Sequence, residues 1–554
     1  MASKARRITI VGASAAGLRC AARLARLEPD LNITVVESEE SFSYAACGFP
    51  YVLSGDVEGL EKLRHTGDGA LRDASYFAAV KGFEVLAGFR AVEIRPAAHR
   101  LVIQGVAGTR ELEWDELVLA TGARPRRCAG QPEHPRIRMF HRADDLRVLQ
   151  DKLSGKELGK VVIIGAGFLG CELAESLTAI WDTQVTLVEA AQAPLSKVLD
   201  PEVGKLVAAV LRQNEIELLT SRPVEKIEAN EGGVRVTAGG RVLEADLAIV
   251  AVGLEPAVDL AVDAGVVLGP TGAIAVSDQL ATSVPHIWAV GDCVEVAHAL
   301  TGGPAHLPLG SLANRQGRTL ANVLTGRADS FPQVAGAFAV KVFDCQVATV
   351  GITRQQARKH FDSVRSVWLS SRDRPHYWPE AKDIYSHLVY DASSQRVLGV
   401  QMVGAGDVTK RIDLAAQWLA QGVTLGRLGQ LEHAYSPPFA PAIDPLAEAA
   451  FVALNQEEGV EALSPEAPFP DLDILDVRHP QESQARPLEA KRVTCIPQEA
   501  LRQRFHEVKG RGWLVVCERG PRSAEVARLL QANGMPACYL GGGLRWRNRI
   551  TPMP

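Results

Sequence analysis

Paired cysteine chemistry is missing from this sequence. Nine cysteines are scattered over 554 residues, at positions 20, 47, 128, 171, 293, 345, 495, 517 and 538. None forms a C-x-x-C motif and no Cys/His cluster has metal-site spacing, so no metal is expected and most of the thiols should be free. Long apolar runs are missing too; no uninterrupted stretch reaches the ~20 residues of a membrane span. Basic blocks are also lacking. Lys and Arg number 60 against 65 Asp and Glu, a net charge of −5, which argues against nucleic acid and against an anionic membrane as partners. Lys4, Arg6 and Arg7 precede a strand pattern rather than an apolar signal segment, so a cytoplasmic location is expected.

What is present is a large, ordinary globular composition, 47% hydrophobic and 23% charged, in a chain too long for a single core. Residues 1–150 alternate strand and helix patterns, as in a parallel doubly wound sheet. A second βαβ unit occupies 151–245, and the chain returns to the first domain over 246–332. A segment of different character, strands followed by helices, fills 333–455. Residues 456–470 are acidic and Pro-rich, with Pro465, Pro468 and Pro470, and read as a linker to a small α/β domain over 471–554.

Two glycine-rich loops carry the first functional signal. Gly12-Ala13-Ser14-Ala15-Ala16-Gly17 follows the apolar strand Ile8–Val11, and Gly165-Ala166-Gly167-Phe168-Leu169-Gly170 follows Val161–Ile164. Glycines allow the tight turn and the close approach of backbone to a pyrophosphate, and the next helix presents amides and a positive dipole end. Each loop has its acid at the end of the next strand, Glu37 and Glu189, at the spacing of a ribose-binding carboxylate. Two loops imply two dinucleotides. Glu189 would repel a ribose 2′-phosphate and no Arg follows it closely, so NADH is expected over NADPH.

With these loops the chain resembles the two-dinucleotide flavoprotein disulfide reductases. Ala120-Thr121-Gly122 and Trp288-Ala289-Val290-Gly291-Asp292 look like that family's further FAD motifs. The resemblance implies FAD at Gly12, Ser14, Ala15, Gly17, Glu37, Ala120, Thr121, Gly122, Gly253 and Asp292. It implies NADH at Gly165, Gly167, Gly170 and Glu189, with Glu172 near the nicotinamide.

Reductases of the glutathione type carry C-x-x-x-x-C, but position 52 here is Val52, so Cys47 must cycle alone, as thiolate and as mixed disulfide, persulfide or sulfenate. Its segment, Ser43-Tyr44-Ala45-Ala46-Cys47-Gly48-Phe49-Pro50-Tyr51, resembles the cysteine loop of the coenzyme A disulfide reductase branch, with Ala46 in place of the usual Asn. The peroxidase branch uses a His beside the first loop, where this chain has Ala15. Tyr377 and Tyr435 resemble two tyrosines that, in a homodimer of that branch, come from the partner subunit to the active cysteine; a phenol can protonate a leaving thiolate. Arg19, Arg23 and Arg26 share one face of the helix after the first loop. The resemblance places coenzyme A phosphates there; Lys62 and Arg64 are expected to add charge to the same channel, and Ser43 is a further candidate substrate contact.

Near the end, Leu514-Val515-Val516-Cys517-Glu518-Arg519-Gly520-Pro521-Arg522-Ser523 reads as strand, loop and helix, a setting in which backbone amides favour a thiolate or persulfide at Cys517, with Arg522 adding charge. It resembles the rhodanese sulfurtransferase loop, although a G-H-I-x-G-A segment of that family is missing around Ala485–Arg492. The expected architecture is therefore α/β: two Rossmann-like domains, an α+β dimerisation domain and a rhodanese-like domain. The resemblance implies an NADH-dependent persulfide, polysulfide or coenzyme A disulfide reductase; an NADH oxidase, or a sulfur-carrier or redox-sensing protein with little turnover, are the alternatives.

Overall fold

A computed structural model of the chain describes residues 5–106, 108–469, 472–488 and 490–551. They pack as two compact units. One runs to Val188 and takes in Pro223–His298 and Gly302–Val334; the other comprises Glu189–Arg222, Ala299–Thr301 and the chain from Ala335 onward.

The first unit is built on two parallel sheets. In one, the strand order is Ile287–Ala289, Glu116–Leu119, Arg7–Val11, Asn32–Val36, Glu84–Leu86. Its inner strands are apolar on both faces because helices or loops cover both sides, so Ile8, Ile10, Val35, Leu117, Val118 and Leu119 are all buried. Helix Ala15–Leu27 turns Ala16, Cys20, Ala21 and Leu24 inward at helical spacing and packs on helix Gly310–Leu324. Gly317 permits that approach, since a Cβ there would collide with the Ala16 carbonyl. In the other sheet, Gln184–Val188, Lys160–Ile164, Leu247–Val250 and Ile137–Arg138 lie side by side in parallel.

The second unit holds an antiparallel sheet in the order Ala337–Val342, Cys345–Gly351, Val397–Gly404, Asp383–Asp391, Val364–Arg372. Helices Thr409–Leu419 and Pro445–Glu457 cover it. Asp444 caps the latter helix through the Leu446 amide and pairs with the buried Arg411 guanidinium at 3.0 Å. The same unit carries a parallel sheet near the C-terminus, ordered Ala462–Leu463, Ala537–Leu540, Trp513–Val516, Asp473–Asp476, Val493–Cys495.

Two expected boundaries shift. Residues 189–222, assigned from sequence to the NADH-binding domain, pack in the second unit. There helix Pro201–Gln213 buries Val203, Leu206, Val207 and Leu211, and Glu202 pairs with Arg354 at 2.7 Å. The expected linker 456–470 is not a free tether: the preceding helix runs to Glu457, and Ala462–Leu463 pairs with Tyr539–Leu540 as an edge strand. Proline and acid content suit an edge strand as well as a linker, and only the distant pairing partner distinguishes them.

Among the described residues no helix is long and apolar enough to cross a membrane, and no His/Cys/Asp/Glu group could hold a metal.

Candidate functional site

The two glycine loops meet the geometric demands of a pyrophosphate cradle. Gly12 and Gly165 adopt φ of 111° and 105°, in the region that only glycine enters freely. A Cβ on Gly17 or Gly170 would overlap the carbonyl of the first glycine of its own loop, so helix and strand can close up only without one. At Gly167 a Cβ would meet nothing within 4 Å: the loop opens there. Ser14 takes that place in the first loop, exposed and in extended backbone ahead of the helix.

The other expected FAD residues gather on the same sheet edge. The Ala120 carbonyl abuts Gly12. The Thr121 hydroxyl donates to the Ala257 carbonyl at 2.7 Å, and Gly122 and Gly253 turn with φ of 69° and 112°. Gly291, at φ 87°, gives its amide to Gln316, and burial pushes the neighbouring Asp292 carboxyl up despite His306. Glu37 accepts the Ala13 amide at 2.8 Å, which fixes it at the mouth of the loop. Ala15 opens the helix at Ala15–Leu27. Glu189 follows its strand in sequence and accepts the Ala191 amide at 2.8 Å. The cradle fits a dinucleotide by its glycines, by the room at Gly167 and by its fixed acid.

Cys47 lies exposed in the one-turn helix Ala46–Gly48, which runs on into Phe49–Leu53. Among the described residues none of the nine cysteines is joined in a disulfide. The turn is pinned from below: the Ser176 hydroxyl donates to Pro50 at 2.8 Å and the Trp181 indole to Leu53 at 2.8 Å. Ser43 enters it buried and left-handed at φ 61°, costly for a residue with a Cβ and a mark of a constrained loop. Four residues beyond Cys47, Tyr51 donates its phenol to Glu172 at 3.2 Å. Burial drives the Glu172 carboxyl up to about 7; Tyr51 opposes and Glu175 reinforces. Sequence reasoning placed Glu172 but gave Tyr51 no part.

Positive charge collects around Arg23. It lies between Arg318, Arg327, Arg26 and Arg19, and desolvation followed by their repulsion pushes its guanidinium down. Arg318, from the helix Gly310–Leu324, and Arg327, from the segment just after it, are some 300 residues away and carried no signal in the sequence. Lys62 is exposed, whereas Arg64 is buried and its guanidinium is engaged with the Phe42 carbonyl and Glu61. Tyr377 and Tyr435 are both exposed, and desolvation, then the neighbouring Tyr435, push the Tyr377 phenol up.

In the C-terminal sheet, Cys517 follows strand Trp513–Val516 and is buried rather than presented. Its sulfur receives the Gly520 amide at 3.1 Å and lies 3.3 Å from the Ser523 hydroxyl. Arg522 grips Glu482 with its two terminal guanidinium nitrogens, at 2.6 and 2.8 Å, and holds that carboxyl below its usual range.

Residues 6–317 match the family described as pyridine nucleotide-disulphide oxidoreductase, and 337–447 match its dimerisation domain. An NAD(P)H sulfur oxidoreductase (CoA-dependent) of Pyrococcus furiosus is 32% identical over 443 residues, covering 80% of this chain and 97% of that protein. A coenzyme A disulfide reductase of Staphylococcus haemolyticus is 26% identical, covering 78% and 96%. The solved structure of an NAD-dependent persulfide reductase from A. fulgidus superposes with a TM-score of 0.93 at 36% identity, covering 98% of this chain and 99% of that one. The reduced CoADR-RHD of Bacillus anthracis superposes at 0.91 and 29%, covering 99% and 98%. Matched over more than half its length and across both the nucleotide-binding and the dimerisation parts, the chain belongs to the pyridine nucleotide-disulphide oxidoreductase family.

Proposed function

We propose that the protein is a homodimeric, FAD-dependent NADH:persulfide, polysulfide or coenzyme A disulfide reductase working through Cys47 alone, with a rhodanese-like C-terminal domain that carries sulfane sulfur on Cys517. The observation that carries the reading is Cys47: an exposed thiol on a pinned helical turn, with no disulfide partner among the described residues. Relatives named for sulfur, persulfide and coenzyme A disulfide reduction support it.

Bound at the first loop, FAD supplies the two-electron link between NADH and sulfur. The Cys47 thiolate attacks a persulfide R–S–S–H, forming Cys47–S–S–R and releasing hydrosulfide. Two electrons and a proton then split the mixed disulfide, returning the Cys47 thiolate and RSH. Overall, RSSH and NADH give RSH, HS⁻ and NAD⁺. Tyr377 and Tyr435 of the partner subunit would protonate the leaving thiolate. The arginines around Arg23 suit the phosphates of a coenzyme A carrier. The Gly520 amide on the Cys517 sulfur and the near-complete alignment with two solved structures support the sulfur-carrying role of the C-terminal domain.

The test is anaerobic NADH consumption with sulfide release, comparing coenzyme A persulfide or polysulfide with coenzyme A disulfide, in the parent and in Cys47→Ser. Faster persulfide turnover with sulfide release, lost in Cys47→Ser, supports the reading. Dominant disulfide turnover makes the enzyme a thiol-pool reductase and removes the role given to Cys517. In a parallel aerobic assay, oxygen uptake surviving Cys47→Ser would mean an oxidase; negligible turnover with every acceptor would mean a carrier or sensor.

A further inference from the structure

The Cys517 loop does not stand on its own domain. Its second residue after the cysteine, Arg519, reaches out to the antiparallel sheet, where it donates to Asp383 Oδ1 at 2.6 Å and to the Ser371 carbonyl at 3.2 Å. Asp383 Oδ2 is gripped by Arg545, from the helix Gly543–Ile550. Arg545 also contacts Glu518 at 3.3 Å, so one carboxylate ties both the loop and the helix that backs it.

The backing is intimate. Leu544 and Arg545 give their amides to the carbonyls of Cys517 and Glu518, at 3.0 and 2.8 Å. A Cβ on Gly543 would come within 2.6 Å of the Arg519 amide nitrogen and the Glu518 carbonyl oxygen, so backbone lies directly on backbone. The turn ahead of this helix is fixed by the same sheet: Ser370 donates to the Gly542 carbonyl at 2.6 Å, in a buried position. Burial alone would push Asp383 up, but the hydrogen bonds from Arg519 and Arg545 outweigh it and hold the carboxylate ionised. A buried or half-buried carboxylate that satisfies two guanidinium groups has a defined geometry, because both forks are directional.

We propose that Asp383, a residue of the dimerisation sheet, is the positioning residue for the Cys517 loop, and that it sets the place of the sulfur through Arg519 and Arg545. The inference rests on the reading of Cys517 as a sulfur carrier. The sulfur-handling loop is therefore not a self-contained module: its shape is dictated from the sheet through which the family dimerises.

The experiment uses the full-length flavoprotein in a Cys47→Ser background, so that Cys517 is read alone, with thiosulfate as donor and cyanide as acceptor. In the first step the Cys517 thiolate takes a sulfur atom from thiosulfate, leaving sulfite and Cys517–S–S⁻; cyanide then takes that sulfur as thiocyanate and returns the thiolate. Asp383→Asn is expected to lower kcat about ten-fold or more with a much smaller change in KM, the signature of a displaced reacting group. Asp383→Glu should recover part of the loss. Arg519→Gln, which leaves Asp383 paired with Arg545, should give a similar loss, and the double variant should be no worse than the single ones. Flavin content and the thermal midpoint report folding in each case. Undiminished transfer in Asp383→Asn, or additive losses in the double variant, overturns the positioning role. No transfer in the Cys47→Ser parent itself overturns the sulfur-carrier reading, and this inference with it.

Discussion

The Tyr51 phenol donates to the Glu172 carboxylate at 3.2 Å, joining the turn that bears Cys47 to the helix that follows the second glycine loop. Burial raises Glu172 to about 7, and this hydrogen bond is what holds it from rising further. Tyr51→Phe removes it. A hydrogen bond worth about 1 kcal/mol corresponds to about 0.7 pH units, so Glu172 should titrate higher by roughly that amount. Infrared titration of the carboxyl band, with Glu172→Gln to identify it, measures the shift; a fall or no change would contradict the geometry.

Gly167 and Gly170 lie in the same loop but should respond differently to a methyl group. In Gly170→Ala the new Cβ overlaps the Gly165 carbonyl, and helix and strand must part, at a cost of about 1–3 kcal/mol. In Gly167→Ala the methyl projects into open space at the helix start, so stability should fall by less than about 1 kcal/mol. The NADH KM should nevertheless rise about ten-fold, because that space is where the pyrophosphate would lie. Urea melts alongside NADH titrations separate the two; equal destabilisation with unchanged KM would remove the loop from cofactor binding.

Glu448 gives the second unit a pH-dependent weakness. Burial, then the Asp444 carboxylate, raise its carboxyl to about 7, against the pull of Arg411. Its folded value lies above the unfolded one, so its full contribution to stability is present below about pH 4.5 and is lost as pH rises through about 7. Glu448→Gln should match the parent near pH 4.5 and exceed it by on the order of 2 kcal/mol at pH 8. Denaturant unfolding at both pH values checks the crossing; a variant weaker at pH 8 would reverse the sign.

What was legible in the sequence was whatever is encoded within about thirty residues. The glycine loops, the acids that follow them and the lone thiol at Cys47 are short-range patterns, and the strands they presuppose are where they were expected. Partners that the chain brings together from afar were not legible. Arg318 and Arg327 join Arg23 where the helix Gly310–Leu324 and the turn after it pack on the helix Ala15–Leu27, Tyr51 finds Glu172 across 121 positions, and Asp383 meets Arg519 across 136. The surroundings of Arg64 were not legible either: expected as a substrate contact, it is buried with its guanidinium on a backbone carbonyl and Glu61, partners that a buried cation needs.

The pairing of Ala462–Leu463 with Tyr539–Leu540 has a consequence for how such a chain could be cut and rejoined. A gene fragment beginning at the proline-rich stretch would leave behind one edge of the terminal sheet and expose the backbone groups of its neighbour to stray pairing. Keeping that sheet whole means starting at about Gly459, just past the helix that ends at Glu457, and even then the contacts of Ser370 and Asp383 with the Cys517 loop and its backing helix are lost. The terminal sheet thus begins earlier than composition alone would mark, and a cut at the apparent hinge would leave an open strand edge prone to aggregation.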